Sequence, residues 1–245
     1  MHKHCEHCLT SLQRPTRRGL MTGAAALLAV SALPLTSVRS ETAAPAPNPN
    51  AIPPAEALDL LMKGNARYAA NEPVERDFSY GRAARAEAQY PIAAILGCAD
   101  SRVSPELLFD QGPGDVFVVR LAGNFLDDDG FASLEYAVKF LGAPLVMVLG
   151  HTNCGAIDAA IKVVKERIEL PGHLPELIKS IEPAVIAAHG RHPSDLLAAA
   201  TEENVRLNMK RLIDDAPIMT DALDAKKIAV AGGIYDIATG RVSLL

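Results

Sequence analysis

Residues 92–102, IAAILGCADSR, and residues 144–154, PLVMVLGHTNC, decide the fold. Each is a short apolar run that ends at a glycine and then turns to polar residues. Apolar runs of five or six residues without alternation read as strands buried on both faces, which predicts strands over Ile92–Leu96 and Pro144–Leu149. Working outward, apolar residues at helical intervals predict a helix over Ala55–Asn71, and further helices over Gly81–Gln89, Leu174–His189 and Ser194–Ala216. Pro105–Gln111 reads as a helical turn, and Asp127–Leu141 as a helix whose acidic start suits its dipole. Thr152 or Asn153 is expected to cap a helix running toward Ile168. Val116–Leu121 and Lys227–Ile234 complete the strands, with an edge hairpin expected where Gly240 turns Tyr235–Ile237 back against Val242–Leu245. Strands separated by helices imply parallel crossovers. The expected fold class is therefore α/β, a central mostly parallel β-sheet flanked by helices, preceded by the helix over Ala55–Asn71.

Chemistry-bearing residues follow both central strands. Cys98, Asp100 and Arg102 stand after the first, His151 and Cys154 after the second. In an extended segment, alternate residues share a side, which groups Cys98, Asp100 and Arg102. His151 and Cys154, three apart, would share one side of a helical turn. Two thiolates and an imidazole suit zinc, and three such ligands leave a fourth position for water or for the Asp100 carboxylate. Taken alone, Cys98 reads as a small buried hydrophobe, Cys154 as a helix-start thiol and His151 as a core histidine. A ligand set reads all three at once. Ligands of open α/β sheets gather at strand carboxyl ends, so the two halves of the site are expected to meet there.

The run CADSRVSPELLFDQGPGDVFVVRLAGN from Cys98, followed by EYAV from Glu135 and GHTNCGA from Gly150, closely resembles the β-class carbonic anhydrases. The matching pattern is Cys-x-Asp-x-Arg with His-x-x-Cys at the same separation. It is most specific over Pro91–Ile157 and extends from about Ala55 to the C-terminus. The resemblance implies one Zn2+ per subunit and reversible hydration of carbon dioxide to bicarbonate and a proton through zinc-bound hydroxide. It also implies an Asp100–Arg102 dyad that holds Asp100 off the metal, Asp100 becoming a fourth ligand only in a closed state. By the same comparison Gln89, Phe117, Ala122, Tyr136 and Gly155 match substrate-pocket positions. Gln89 would reach the site of a partner subunit, making the active unit a homodimer or higher even oligomer with the helix from Ala55 as an arm across the interface. Relatives with bicarbonate-regulated closure carry a Trp three residues before the first Cys; here that position is Ile95, which argues against closure by that route. Two other readings use the same residues: hydrolysis of carbonyl sulfide or carbon disulfide, and a non-catalytic zinc-stabilised module with Asp100 as permanent fourth ligand. Zinc deaminase chemistry would need His-x-Glu with Pro-Cys-x-x-Cys, a pattern that does not occur after residue 40.

At 245 residues and 49% apolar content the chain is long enough for one sizeable core. Residues 1–40 contain the paired Arg17 and Arg18 ahead of a weakly apolar stretch broken by Pro34, a pattern resembling a cleaved twin-arginine export signal and predicting a periplasmic protein. The stretch is shorter than the roughly 20 residues of a spanning helix, so no stable membrane anchor is expected after cleavage. Residues 41–54, rich in Ala, Pro and Asn, read as a disordered linker, leaving 55–245 as the catalytic domain. His2, His4, Cys5, His7 and Cys8 read as part of the discarded leader rather than a site. Residues 1–40 hold five basic residues and one acid, so the rest carries 19 basic against 28 acidic residues, net −9. That balance disfavours nucleic acid as a partner.

Overall fold

The computed structural model describes residues 48–245. The expected export signal, the His2–Cys8 cluster and the first part of the expected linker lie outside the described residues. Five strands form one sheet: β1 (Ala93–Cys98), β2 (Val116–Leu121), β3 (Leu145–His151), β4 (Ala229–Asp236) and β5 (Arg241–Leu244). Their order is β2-β1-β3-β4-β5, with the first four parallel and β5 antiparallel to β4. Every residue of β1 and β3 is buried, as their unbroken apolar runs require of central strands covered on both faces. The expected hairpin is present, pairing Gly233 with Leu244 through Asp236 with Arg241.

Eight helices among the described residues flank the sheet: α1 (Pro54–Ala69), α2 (Arg82–Glu87), α3 (Pro105–Leu108), α4 (Asp128–Lys139), α5 (Gly155–Glu166), α6 (Leu174–His189), α7 (Leu196–Asp214) and α8 (Pro217–Asp224). On one face Leu134 and Ala137 of α4, Val205 and Leu212 of α7 and Met219 of α8 pack on Ala94, Leu96, Val146 and Val148. On the other, Ala57 and Leu61 of α1 and Leu108 of α3 pack on Ile95, Leu145, Met147 and Val242. Gly64 lets α1 seat directly on the end of α3, because a Cβ there would lie 1.8 Å from the Phe109 carbonyl oxygen. Beyond the sheet, α5, α6 and α7 share a third cluster through Ile157, Ile181, Val185 and Ala200, and Cys98 and Cys154 belong to it.

Several local expectations change. The helix expected over Ser194–Ala216 stops at Asp214, and α8 starts afresh at Pro217. Proline costs nothing at a first helical position but pushes its predecessor out of the helical region; Ala216 accordingly sits at φ −111°, ψ 97°. Neither Thr152 nor Asn153 caps α5. Asn153 takes a left-handed φ of 54°, Thr152 Oγ1 instead accepts from the Ile237 amide, and Cys154 occupies the N-cap position. Asn50, within the stretch whose composition reads as linker, is 2% exposed and donates to the carbonyls of Pro91 and Leu141. The fold thus reaches back at least to Asn50.

The connectivity positions the site. From β1 the chain moves through α3 to β2 on one side, then returns through α4 to β3 on the other side of β1. That reversal opens a crevice at the carboxyl ends of β1 and β3.

Candidate metal centre

Both strands run further than the sequence predicts, so Cys98 is the last residue of β1 and His151 the last of β3. Cys154 follows His151 after a two-residue turn and is buried at the start of α5. One ligand atom each from Cys98, His151 and Cys154 lies within 4.8 Å of the other two, and all three residues are buried. The grouping is the expected one, but its local causes differ. His151 and Cys154 converge through a strand end and a turn, not through a shared helical turn.

Asp100 and Arg102 are likewise brought together by a turn instead of an extended segment. The Val103 amide donates to the Asp100 carbonyl and the Arg102 amide to Asp100 Oδ1 at 2.9 Å. Short polar side chains favour such local bonds over extended backbone. The same turn folds the Arg102 side chain onto Asp100, with Nε 2.9 Å from Oδ1 and Nη2 2.7 Å from Oδ2. This bidentate grip holds the Asp100 carboxyl well below its ordinary range. Asp100 Oδ2 stops 3.9 Å from His151 Nε2. Arg102 Nη2 also donates to the Asn153 carbonyl at 3.3 Å, linking the two ligand-bearing turns.

Three supporting contacts were invisible to residue spacing. Arg120 on β2 donates from Nε to the Cys98 carbonyl and from Nη2 to the Asp100 carbonyl, at 3.0 and 2.7 Å. Only the β1–β2 register, which sets Arg120 opposite Gly97, could have indicated this. The Gly123 amide donates to Cys98 Sγ at 3.3 Å. His151 Nδ1 lies 2.9 Å from the Thr152 carbonyl oxygen, so Nδ1 carries the proton and Nε2 keeps its lone pair.

These atoms fit a zinc ion. His151 Nε2 is buried and has no hydrogen-bond partner, a costly arrangement for a polar atom unless something else binds it. The neighbouring Cys154 thiol lowers the pKa of Cys98 far below that of a free thiol, and the same contact pushes Cys154 up. A cation at the centre of the three atoms would relieve that competition between the sulfurs and occupy the orphaned lone pair. Two thiolates with one imidazole are a borderline-soft donor set of the kind zinc takes.

The pocket candidates divide into two groups. Ala122 precedes Gly123, and Gly155, exposed, follows Cys154, so both adjoin the metal ligands. The other three lie toward the far end of the sheet. Gln89 is exposed and precedes β1, and Phe117 pairs with Ala94, four residues or about 13 Å of strand before Cys98. Tyr136 on α4 packs against Phe117 with ring centroids 6.4 Å apart. Within one subunit these three do not join the ligand cluster.

A profile of the carbonic anhydrase family matches residues 93–242. A carbonic anhydrase from Mycolicibacterium smegmatis is 36% identical over 201 residues, covering 81% of this chain and 95% of its own length. Among solved structures, a Coccomyxa β-carbonic anhydrase aligns with TM-score 0.57 and 28% identity, over 78% of this chain and 85% of its own. One of the tetrameric β-carbonic anhydrases of Sordaria macrospora shares the fold, with TM-score 0.63 at 23% identity over 78% of this chain and 97% of its own. With the two-strand arrangement of cysteines and histidine above, these matches establish that the chain belongs to the carbonic anhydrase family, in its β class.

Proposed function

We propose that this enzyme hydrates carbon dioxide reversibly to bicarbonate and a proton, using one Zn2+ per subunit held by Cys98, His151 and Cys154. The observation that carries the reading is the Asp100–Arg102 pair. Both carboxylate oxygens are engaged by Arg102, an arrangement that would keep Asp100 off the metal and leave a fourth position to water. Zinc held by these residues would supply Lewis acidity, lowering the pKa of a bound water toward about 7.

The chain's own residues supply orientation. Asp100 stays ionised because Arg102 lowers its pKa, so it acts as a hydrogen-bond acceptor and not as a proton store. It would thereby accept a hydrogen bond from the attacking water and turn a lone pair of that oxygen toward the substrate. His151, held by Thr152, presents Nε2, and Gly123 donates to the Cys98 sulfur. A Cβ at Gly155 would meet nothing within 4 Å, so there is space beside Cys154 for a small linear molecule. Carbon dioxide gains one oxygen, no leaving group departs, and the proton passes to solvent.

The active unit in this proposal is a homodimer or higher even oligomer. It is supported by the separation of Gln89, Phe117 and Tyr136 from the ligands of their own subunit: a partner could bring the same residues to the site from outside. The exposed Phe140, beside Tyr136, extends that surface. Residues 1–40 are proposed to act as a twin-arginine signal, which would export the protein to the periplasm already loaded with metal. Replacing Arg17 and Arg18 by Lys should then leave zinc-loaded protein inside the cell; unchanged periplasmic accumulation would refute this.

Stopped-flow hydration by zinc-replete protein from about pH 7 to 9 tests the activity, a range bracketing the ionisation of a zinc-held water. Rapid turnover at pH 7 is expected from an open site. Activity confined to high pH would mean that Asp100 closes the metal, and none at any pH would overturn the assignment of substrate.

A further inference from the structure

A ladder of buried amides on α7 ends on the loop that touches the Cys98 sulfur. Asn204, Asn208 and Arg211 stand at helical intervals on one side of α7, and the two asparagines are 1% and 3% exposed. Asn204 Nδ2 donates to the Gly123 carbonyl at 2.8 Å. Asn208 Nδ2 donates to the Asn204 carbonyl and, at 3.2 Å, to Asn204 Oδ1, while Asn208 Oδ1 accepts from the Leu126 amide at 2.9 Å. Arg211 Nη1 donates to the Leu126 carbonyl at 2.7 Å. Three side chains on one face of the helix thus grip Gly123 and Leu126, at the two ends of a segment that has no regular structure of its own.

What the grip fixes is Gly123. Its φ is 89°, and a Cβ at that position would meet Ile181 Cδ1 at 2.4 Å and Ala156 Cβ at 3.2 Å. The loop is therefore pressed against α5 and α6 on one side and tied to α7 on the other, and its amide points to Cys98 Sγ. Buried asparagines cost stability unless satisfied, and helix-to-loop ties of this kind are not needed to bury α7, whose Val205 and Leu212 already pack in the core.

We propose that Asn204 and Asn208 are positioning residues for the metal centre: they hold the Gly123 amide on the Cys98 sulfur, and through that bond they set how strongly Cys98 donates to the metal. A hydrogen bond to a ligating sulfur withdraws electron density from it, leaving more positive charge on the ion. The inference rests on Cys98 being a metal ligand, as in the proposed function.

The test uses cobalt in place of zinc, because thiolate-to-cobalt charge transfer reports the electron richness of the sulfur directly. The full chain is compared with Asn204→Leu and Asn208→Ala by the position of that band and by the rate of metal loss to a chelator. Leu212→Ala, which loosens the same helix without touching the ladder, is the structural control. Both asparagine variants should shift the band to lower energy as Cys98 regains electron density and, because the Gly123 loop no longer holds that sulfur in place, release metal about 10- to 100-fold faster, while Leu212→Ala melts earlier with its band in place. If the asparagine variants keep the wild-type band and release rate, or if Leu212→Ala shifts the band equally, the positioning role is overturned. Should Asn204→Leu fail to fold, Asn208→Ala decides by the same two readouts. A wild-type cobalt protein with no thiolate band would instead overturn the ligand assignment, and this inference with it.

Discussion

Arg102 holds Asp100 by both nitrogens facing it, and the held carboxylate stops 3.9 Å from His151 Nε2. The distance matters because it would leave Asp100 close enough to orient a water on a metal held by His151. Arg102→Lys keeps the charge but loses the planar two-point grip. That variant should retain one zinc per subunit and lose about 10- to 100-fold in kcat/KM at pH 7, with activity partly recovered at higher pH. Unchanged hydration kinetics would show that the pair does not set the position of Asp100.

Removing a ligand should separate folding from metal binding. His151→Ala leaves the two cysteines in place but deletes the orphaned Nε2 lone pair, and elemental analysis should find zinc well below one per subunit, with hydration activity gone. In the wild-type protein, chelation should lower the thermal midpoint and added zinc should restore it, since a ligand bound at a thousandfold excess over Kd stabilises by about 4 kcal/mol. Retained stoichiometric zinc in the variant would displace His151 from the ligand set.

The central strands and the grouping of Cys98, His151 and Cys154 were legible because each depends on residue type along short continuous stretches. An unbroken apolar run can be a strand buried on both faces or part of a buried helix, and the shortness of both runs favours the strand. The dyad was legible as a pair but not in its cause, since the Asx-type bond from Arg102 N to Asp100 bends the chain where alternation predicts an extended segment. Arg120, Gly123 and the asparagines of α7 were hidden for a different reason. Their roles arise from strand register and from contacts between residues 20 to 82 positions apart, which no local pattern encodes. The extra helix α8 escaped because Pro217 reads equally well as the end of one helix and the start of the next.

If Gln89 completes a partner's pocket, mixed oligomers should complement. A Cys98→Ser subunit lacks the metal and a Gln89→Ala subunit lacks the exposed amide, so each homo-oligomer should be impaired. In a heterodimer, the intact metal of the Gln89→Ala subunit would receive Gln89 from its Cys98→Ser partner. Co-expressed and separately tagged subunits should therefore regain up to about half of wild-type activity per dimer, since one of two sites is whole. Activity no greater than the mean of the two parents would place Gln89 outside the shared pocket.

Asp110 supports the opposite face of the sheet and should give the fold an acid-sensitive element. Its side chain is 2% exposed, and its carboxylate is paired with Arg67 and Arg76 and accepts from the Val74 amide. Burial raises its pKa, but the two guanidiniums and the amide outweigh burial and leave it below its ordinary value of 3.8. The folded state thus binds the proton less tightly than the unfolded chain, so the stabilisation is complete above the ordinary carboxylate value and fades as pH falls through it. Asp110→Asn suits the left-handed φ of 48° at this position, so the substitution removes charge without adding strain. It should cost about 2–3 kcal/mol near neutral pH, read by urea unfolding, with the gap from wild type narrowing below about pH 4. A gap that stays constant down to pH 3 would mean that the charge of Asp110 contributes nothing to the difference.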